Sequence, residues 1–142
     1  MPENDAALLD QVGRRLVEDF SNPLNDHLAD LVDGMKYADQ PWYQRKYGML
    51  STLTDCQKAA VHALINEVAP AALHTLLDIF EQDKLRDPSE PGRLSLQITD
   101  AYGHAQDVAQ ASNGLPGENY SDAGWLARFS NRADHKELGR IG

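Results

Sequence analysis

Residues 53–84, LTDCQKAAVHALINEVAPAALHTLLDIFEQDK, are the stretch on which the fold turns. Thr54-Asp55-Cys56-Gln57 has the capping-box pattern: the Thr54 hydroxyl can accept the N–H three residues on while Gln57 reaches back. Asp55 adds a negative charge to the first turn, where the helix dipole favours it. From there Val61, Leu64, Ile65, Val68, Ala72, Leu76, Ile79 and Phe80 recur at three- and four-residue steps, the period of one helix face. Leu73 and Leu77 widen that face in its second half, which predicts contact from two sides. Pro70 removes a ladder hydrogen bond and disfavours helical geometry at Ala69. The spacing therefore predicts a pair of helices over 53–84, kinked or restarted at Pro70.

The segments before it read as shorter helices. Ala6 to Phe20 places Leu9, Val12, Leu16 and Phe20 on one face and Asp10, Arg14 and Glu18 opposite. Ser21-Asn22-Pro23 reads as a stop and a restart, with Asn22 as N-cap and Pro23 in the first helical position. Leu24, Leu28, Leu31 and Val32 form the next stripe, ended by Gly34 as C-terminal cap. Asp39-Gln40-Pro41 then opens an aromatic segment in which Trp42 is the expected core anchor, beside Tyr43 and Tyr47.

After the central pair, residues 86–92 (RDPSEPG) are a turn-rich break. Leu94, Leu96 and Ile98 alternate with polar residues, the period of a short strand, but no partner strand stands out. Residues 101–112 are rich enough in Ala and Gln to be helical behind Asp100, with Gly103 against it, and 93–112 as a whole stays open between strand and helix. Ser121-Asp122 is a candidate cap for a last helix carrying Trp125, Leu126 and Phe129, and the tail from Arg132 is expected to fray. The fold expected is mainly α, a single-domain bundle of five or six helices with at most a minor strand or hairpin near 94–99. Residues 1–50 would supply N-terminal helices, 53–84 the central pair, 93–130 a cover, and 131–142 the tail.

Composition narrows the function. With 142 residues, 42% of them hydrophobic, the chain can bury a core and is unlike a disordered one. No unbroken run of about 18 apolar residues is present, so a membrane-spanning helix is not expected. The acidic start Met1-Pro2-Glu3-Asn4-Asp5 is unlike a secretory leader, and a single cysteine fits a reducing compartment, so the expected location is cytoplasmic. The net charge is -9. Residues 1–33 hold eight acids against Arg14 and Arg15, 2 − 8 = -6, while residues 34–50 hold three bases against Asp39, 3 − 1 = +2. Such a surface repels nucleic acid and anionic membrane and attracts a basic protein. Asp26, Asp30 and Asp33, at four- and three-residue steps, form a one-sided ridge and are the candidate partner-binding residues. Solvation alone is the commoner reason for such a ridge.

Other candidates are weaker. His74, Asp78 and Glu81 share a helical face, with Glu67 one heptad before His74, and such a set suits a divalent metal in a bundle. The recurring bundle and protease spacings are nevertheless absent, and a polar helix face explains the same residues. Cys56 lies in a first helical turn, where a thiol is activated, without a His at a known spacing. No G-x-S-x-G accompanies the scattered Ser, His and Asp, and Gly114-Leu115-Pro116-Gly117 is not a phosphate loop. No cofactor is expected.

Two pieces together, Leu53 to Lys58 with Ala72 to Leu77, and Gly114-Leu115-Pro116-Gly117-Glu118 with Gly124-Trp125-Leu126-Ala127-Arg128-Phe129-Ser130, resemble a group of small uncharacterised bacterial proteins. These are mostly helical, and some are similar to the immunity proteins of toxin systems. The resemblance spans about residues 53–130 and implies a small cytoplasmic binding protein; it carries no site residues with it. Gly124 beside Trp125 points to close backbone packing, with Trp125 and Phe129 as a lid over the central helices. The leading expectation is a non-enzymatic protein that neutralises a basic partner through Asp26, Asp30 and Asp33. The alternatives are a metal-binding protein or enzyme built on His74, Asp78 and Glu81, and a homodimeric structural subunit joined through the face around Leu73 and Leu77.

Overall fold

The computed structural model describes residues 3–34, 36–121 and 123–136. It is a mainly α domain: five helices of seven residues or more, several short ones, and one two-stranded hairpin. Helix α1 (Glu3–Leu16) runs through a π turn (Val17–Ser21) straight into α2 (Asn22–Asp33). The expected stop at Ser21-Asn22-Pro23 is therefore corrected. Pro23 has no N–H to give and its ring crowds the preceding turn. The π turn absorbs this by widening one loop, so that the Asn22 N–H donates to the Val17 carbonyl five residues back. Asn22 is consequently not a cap, and its side chain serves elsewhere. Gly34 does end α2 as expected, at φ +70 with its N–H donating to Asp30 O at 3.0 Å.

Helix α3 (Pro41–Tyr47) follows, then a 3-10 turn (Gly48–Thr52). Here Tyr43, and not Trp42, is the anchor: Tyr43 is 4% exposed and Trp42 41%. The Tyr43 hydroxyl donates to Leu31 O, and its ring end lies against Gly34, so the phenol is satisfied when buried. Its neighbour, 100° round the helix, must then face outward.

Helix α4 (Asp55–Ile65) starts with the predicted capping box: the Gln57 N–H donates to Thr54 Oγ1 at 3.2 Å and the Thr54 N–H to Gln57 Oε1 at 2.9 Å. Helix α5 is Val68–Asp83. The break falls at Asn66–Glu67, and Pro70 becomes the third residue of α5. In a first turn the missing N–H costs little, because those donors have no partner within the helix. By length and composition alone Asp55–Asp83 holds an 18-residue window apolar enough to cross a membrane, with mean hydropathy 1.2, although no unbroken apolar run of that length is present. In the fold it is two helices, and one side of the second lies in the core.

That side is not the one expected. Leu73 and Leu77 are wholly buried, while Leu64 (70% exposed), Val68, Leu76 and Ile79 lie largely on the surface. The apolar face of α5 covers more than half of the helix, so its period does not tell which part of that face turns inward. Around Leu73 and Leu77 gather Leu9 and Val12 of α1, Val17, Val108, Leu115, Trp125 and Leu126. The homodimer face expected around Leu73 and Leu77 is thus occupied by the chain's own core.

Strands β1 (Gln97–Thr99) and β2 (Ala105–Asp107) pair antiparallel, Ile98 opposite Gln106. This is the minor hairpin near 94–99, and it decides most of 93–112, open in sequence between strand and helix, against a long helix. Asp100 caps a turn instead: its Oδ1 accepts the N–H groups of Tyr102 and His104, both at 2.9 Å, and Gly103 takes φ +83. Only α6 (Val108–Ala111) is helical there, capped by Asp107 through the Ala109 N–H at 3.0 Å. Helices α7 (Leu115–Tyr120) and α8 (Trp125–Phe129) follow. Gly124 packs as expected, since a Cβ there would stand 2.6 Å from Glu118 O. Gly114 and Gly117, by contrast, have open space around them. The cap expected at Asp122 lies outside the described residues.

The expected fraying is corrected over residues 132–136. Helix α9 (Ala133–Lys136) carries a wholly buried His135, whose Nδ1 meets Ser130 Oγ at 2.6 Å and whose Nε2 meets Asn66 O at 2.5 Å. Residues 137–142 of the expected tail lie outside the described residues.

Candidate functional site

The three aspartates of α2 do project as one ridge, but the chain itself uses two of them. Asp26 Oδ1 accepts from Asn131 Nδ2 at 3.1 Å and pairs with Arg132 at 3.0 Å. With Asn22, which donates to Phe129 O and accepts the Asn131 N–H, it holds the segment after α8 against α2. Asp33 meets His62 Nε2 at 2.7 Å, tying α2 to α4. The Asp30 carboxylate has no hydrogen-bond or ion-pair partner among the described residues. All the same, Asp26 and Asp33 keep about half of their side-chain surface in solvent, 55% and 42%. Their negative potential still reaches outward.

Beside this ridge stands an aromatic stack that sequence reading valued only as core. The His27 ring meets Tyr37 edge-on at 6.3 Å, Tyr37 lies 5.4 Å from Trp42, and Tyr43 joins Trp42 to Tyr47 at 5.9 and 5.4 Å. Lys36 and Lys46 cover Tyr37 and Tyr47. Burial first, then the Asp33 carboxylate and Tyr47, push the Tyr43 phenol up from its usual range. A half-exposed Trp fixed by neighbouring rings and rimmed by charge is the kind of anchor that protein interfaces use. The signal available in sequence was the density of aromatics over 37–47; what hid it was the assumption that Trp faces inward.

The metal candidates go separate ways. Glu81 accepts the Leu115 N–H at 3.0 Å and pairs with Lys84 at 2.5 Å. Lys84 in turn donates to Ala109 O and Ser112 O, so this pair clamps the α6–α7 connection to α5. Asp78 accepts from Gln82 at 2.7 Å, and the His74 ring packs edge-on against Tyr120 at 5.1 Å. Glu67 is exposed at the head of α5. Among the described residues, no three His, Cys, Asp or Glu side chains are placed to share an ion. Cys56 is exposed. Ser130 and His135 do meet, yet both are buried, and the second ring nitrogen faces a backbone carbonyl, so the pair fastens α9 rather than presenting a nucleophile.

A cleft of about 310 Å³ separates α1 from the hairpin, between Val12, Arg15 and Leu16 on one side and Leu96 to Thr99 on the other. A second of about 260 Å³ continues it toward Asp100 and His104. At the hairpin tip, Tyr102 is 87% exposed. Compared with protein-family models, with curated proteins and with solved structures, the chain matches none.

Proposed function

We propose that this is a non-enzymatic, cytoplasmic binding protein of the immunity type, which holds a basic partner protein on the face made by α2 and α3. The observation that carries the reading is Trp42, 41% exposed in an aromatic stack that reaches His27 of α2, the helix that also carries Asp30. The partner's cations would be steered by the net charge of -9 and meet Asp30 and Asp33, while Trp42 provides apolar contact. Asp26 contributes field more than contact, since its carboxylate already serves Arg132.

The test is an affinity pull-down from the native cell at low and moderate salt, with retained proteins identified by mass spectrometry. One basic protein, held less well as salt rises, is expected. Asp30→Asn with Asp33→Asn should weaken it about tenfold, mainly through the association rate, and Trp42→Ala by a comparable factor through dissociation. A retained protein whose affinity is indifferent to all three changes would remove the reading.

A further inference from the structure

The hairpin bonds place Leu96 with Val108, through the Val108 N–H to Leu96 O at 2.8 Å, and Asp100 with His104, through the Asp100 N–H to His104 O at 3.0 Å. In an antiparallel pair the bonded residues alternate, so Ile98 and Gln106 form the bonded pair between them. Gln97 and Thr99 then turn their N–H and C=O groups to the outer side of β1, where no backbone partner meets them among the described residues. Folded proteins usually guard such an edge with lysine, proline or a bulge. Gln97-Ile98-Thr99 has none of these, and Leu96 to Thr99 all line the open cleft beside α1.

We propose that a second copy of the chain pairs with this edge, β1 against β1, antiparallel about a two-fold axis at Ile98. This arrangement uses the free groups of both residues in both copies: Gln97 of one copy faces Thr99 of the second, and the symmetric pair does the same. Four backbone hydrogen bonds close, and the two Ile98 side chains meet in the narrow, non-bonded position. Two marginal two-stranded hairpins become one four-stranded sheet.

The experiment is sedimentation equilibrium of the full chain from low micromolar to high concentration. A monomer–dimer equilibrium is expected. Gln97→Lys with Thr99→Lys sets lysine against lysine twice across the axis and should raise the dimer dissociation constant about tenfold or more. Gln97→Lys with Thr99→Glu sets opposite charges there and should restore it. Both positions are exposed, and thermal melts of the two variants will show whether each is folded. A monomeric mass at every concentration overturns the proposal. So does a dimer that both variants leave alike, or one that Leu76→Glu on the exposed α5 face dissolves instead.

Discussion

Gly13 sits in the middle of α1, where a glycine costs about 1 kcal/mol relative to alanine. Its reason is 112 residues away: a Cβ at Gly13 would overlap the buried indole of Trp125. Gly13→Ala gains helix propensity but pushes a rigid, fully buried ring out of its place, and overpacking of that kind costs more than the propensity returns. The expected net loss is about 2 kcal/mol in urea unfolding; an increase in stability would show that the indole has room to move. Asp100 gives a second prediction at this scale. The His104 N–H above all, with that of Tyr102, holds its carboxyl below the usual aspartate range. The unfolded chain therefore binds the proton more readily than the folded one. The turn's contribution is complete above the ordinary aspartate value, about 4, and is lost as pH falls through the lower folded value. Following the Asp100 carboxyl carbon by NMR should give a midpoint below that of an unfolded peptide, and one at or above it would contradict the geometry.

Helices and turns were legible where their signals are local. The Thr54 capping box and the Gly34 cap need only residues within one turn, and both are where the sequence puts them. Orientation is another matter. The apolar face of α5 is more than half of the helix wide, so only the rest of the chain decides that Leu73 and Leu77 go inward and Leu76 and Ile79 outward. Strand β2 is Ala105-Gln106-Asp107, with no β-branched or aromatic residue, and it exists because Asp100 and Gly103 turn the chain back. The α2 ridge was legible as a pattern, but its pairing with Asn131 and Arg132 was not, since a contact across more than 100 residues leaves no mark on spacing. Glu81 shows the same limit: its face suggested a ligand, while its fold partners are Lys84 and the Leu115 N–H. Glu81→Ala should therefore destabilise the purified protein by about 1–3 kcal/mol, by orphaning the Leu115 N–H and taking from Lys84 its carboxylate partner. Melting with and without a chelator checks it. Equal stability of variant and parent, with chelator lowering only the parent, would restore a metal role.

At the scale of the whole molecule, charge acts in two directions that salt can separate. Eight of the acids lie within residues 1–33 against two arginines, and most of that excess runs along the continuous α1–α2 helix. Like charges on one rod repel in the folded state more than in an expanded chain, so screening should favour folding. The ion pairs that salt also weakens, such as Arg14–Glu18 and Arg15–Asp19, are exposed and contribute little. The melting temperature of the free protein is therefore expected to rise between about 10 and 150 mM salt, the range over which the Debye length falls from about 30 to 8 Å. A complex formed by steering on Asp30 and Asp33 must respond oppositely and loosen over the same range. If both quantities fall together, lost binding at high salt would reflect a weakened fold and not a screened interface. If the free protein stabilises while the complex dissociates, the acidic face is the part that recognises. Measuring the melt of the isolated chain and the affinity of the complex in the same buffers puts the two signs side by side.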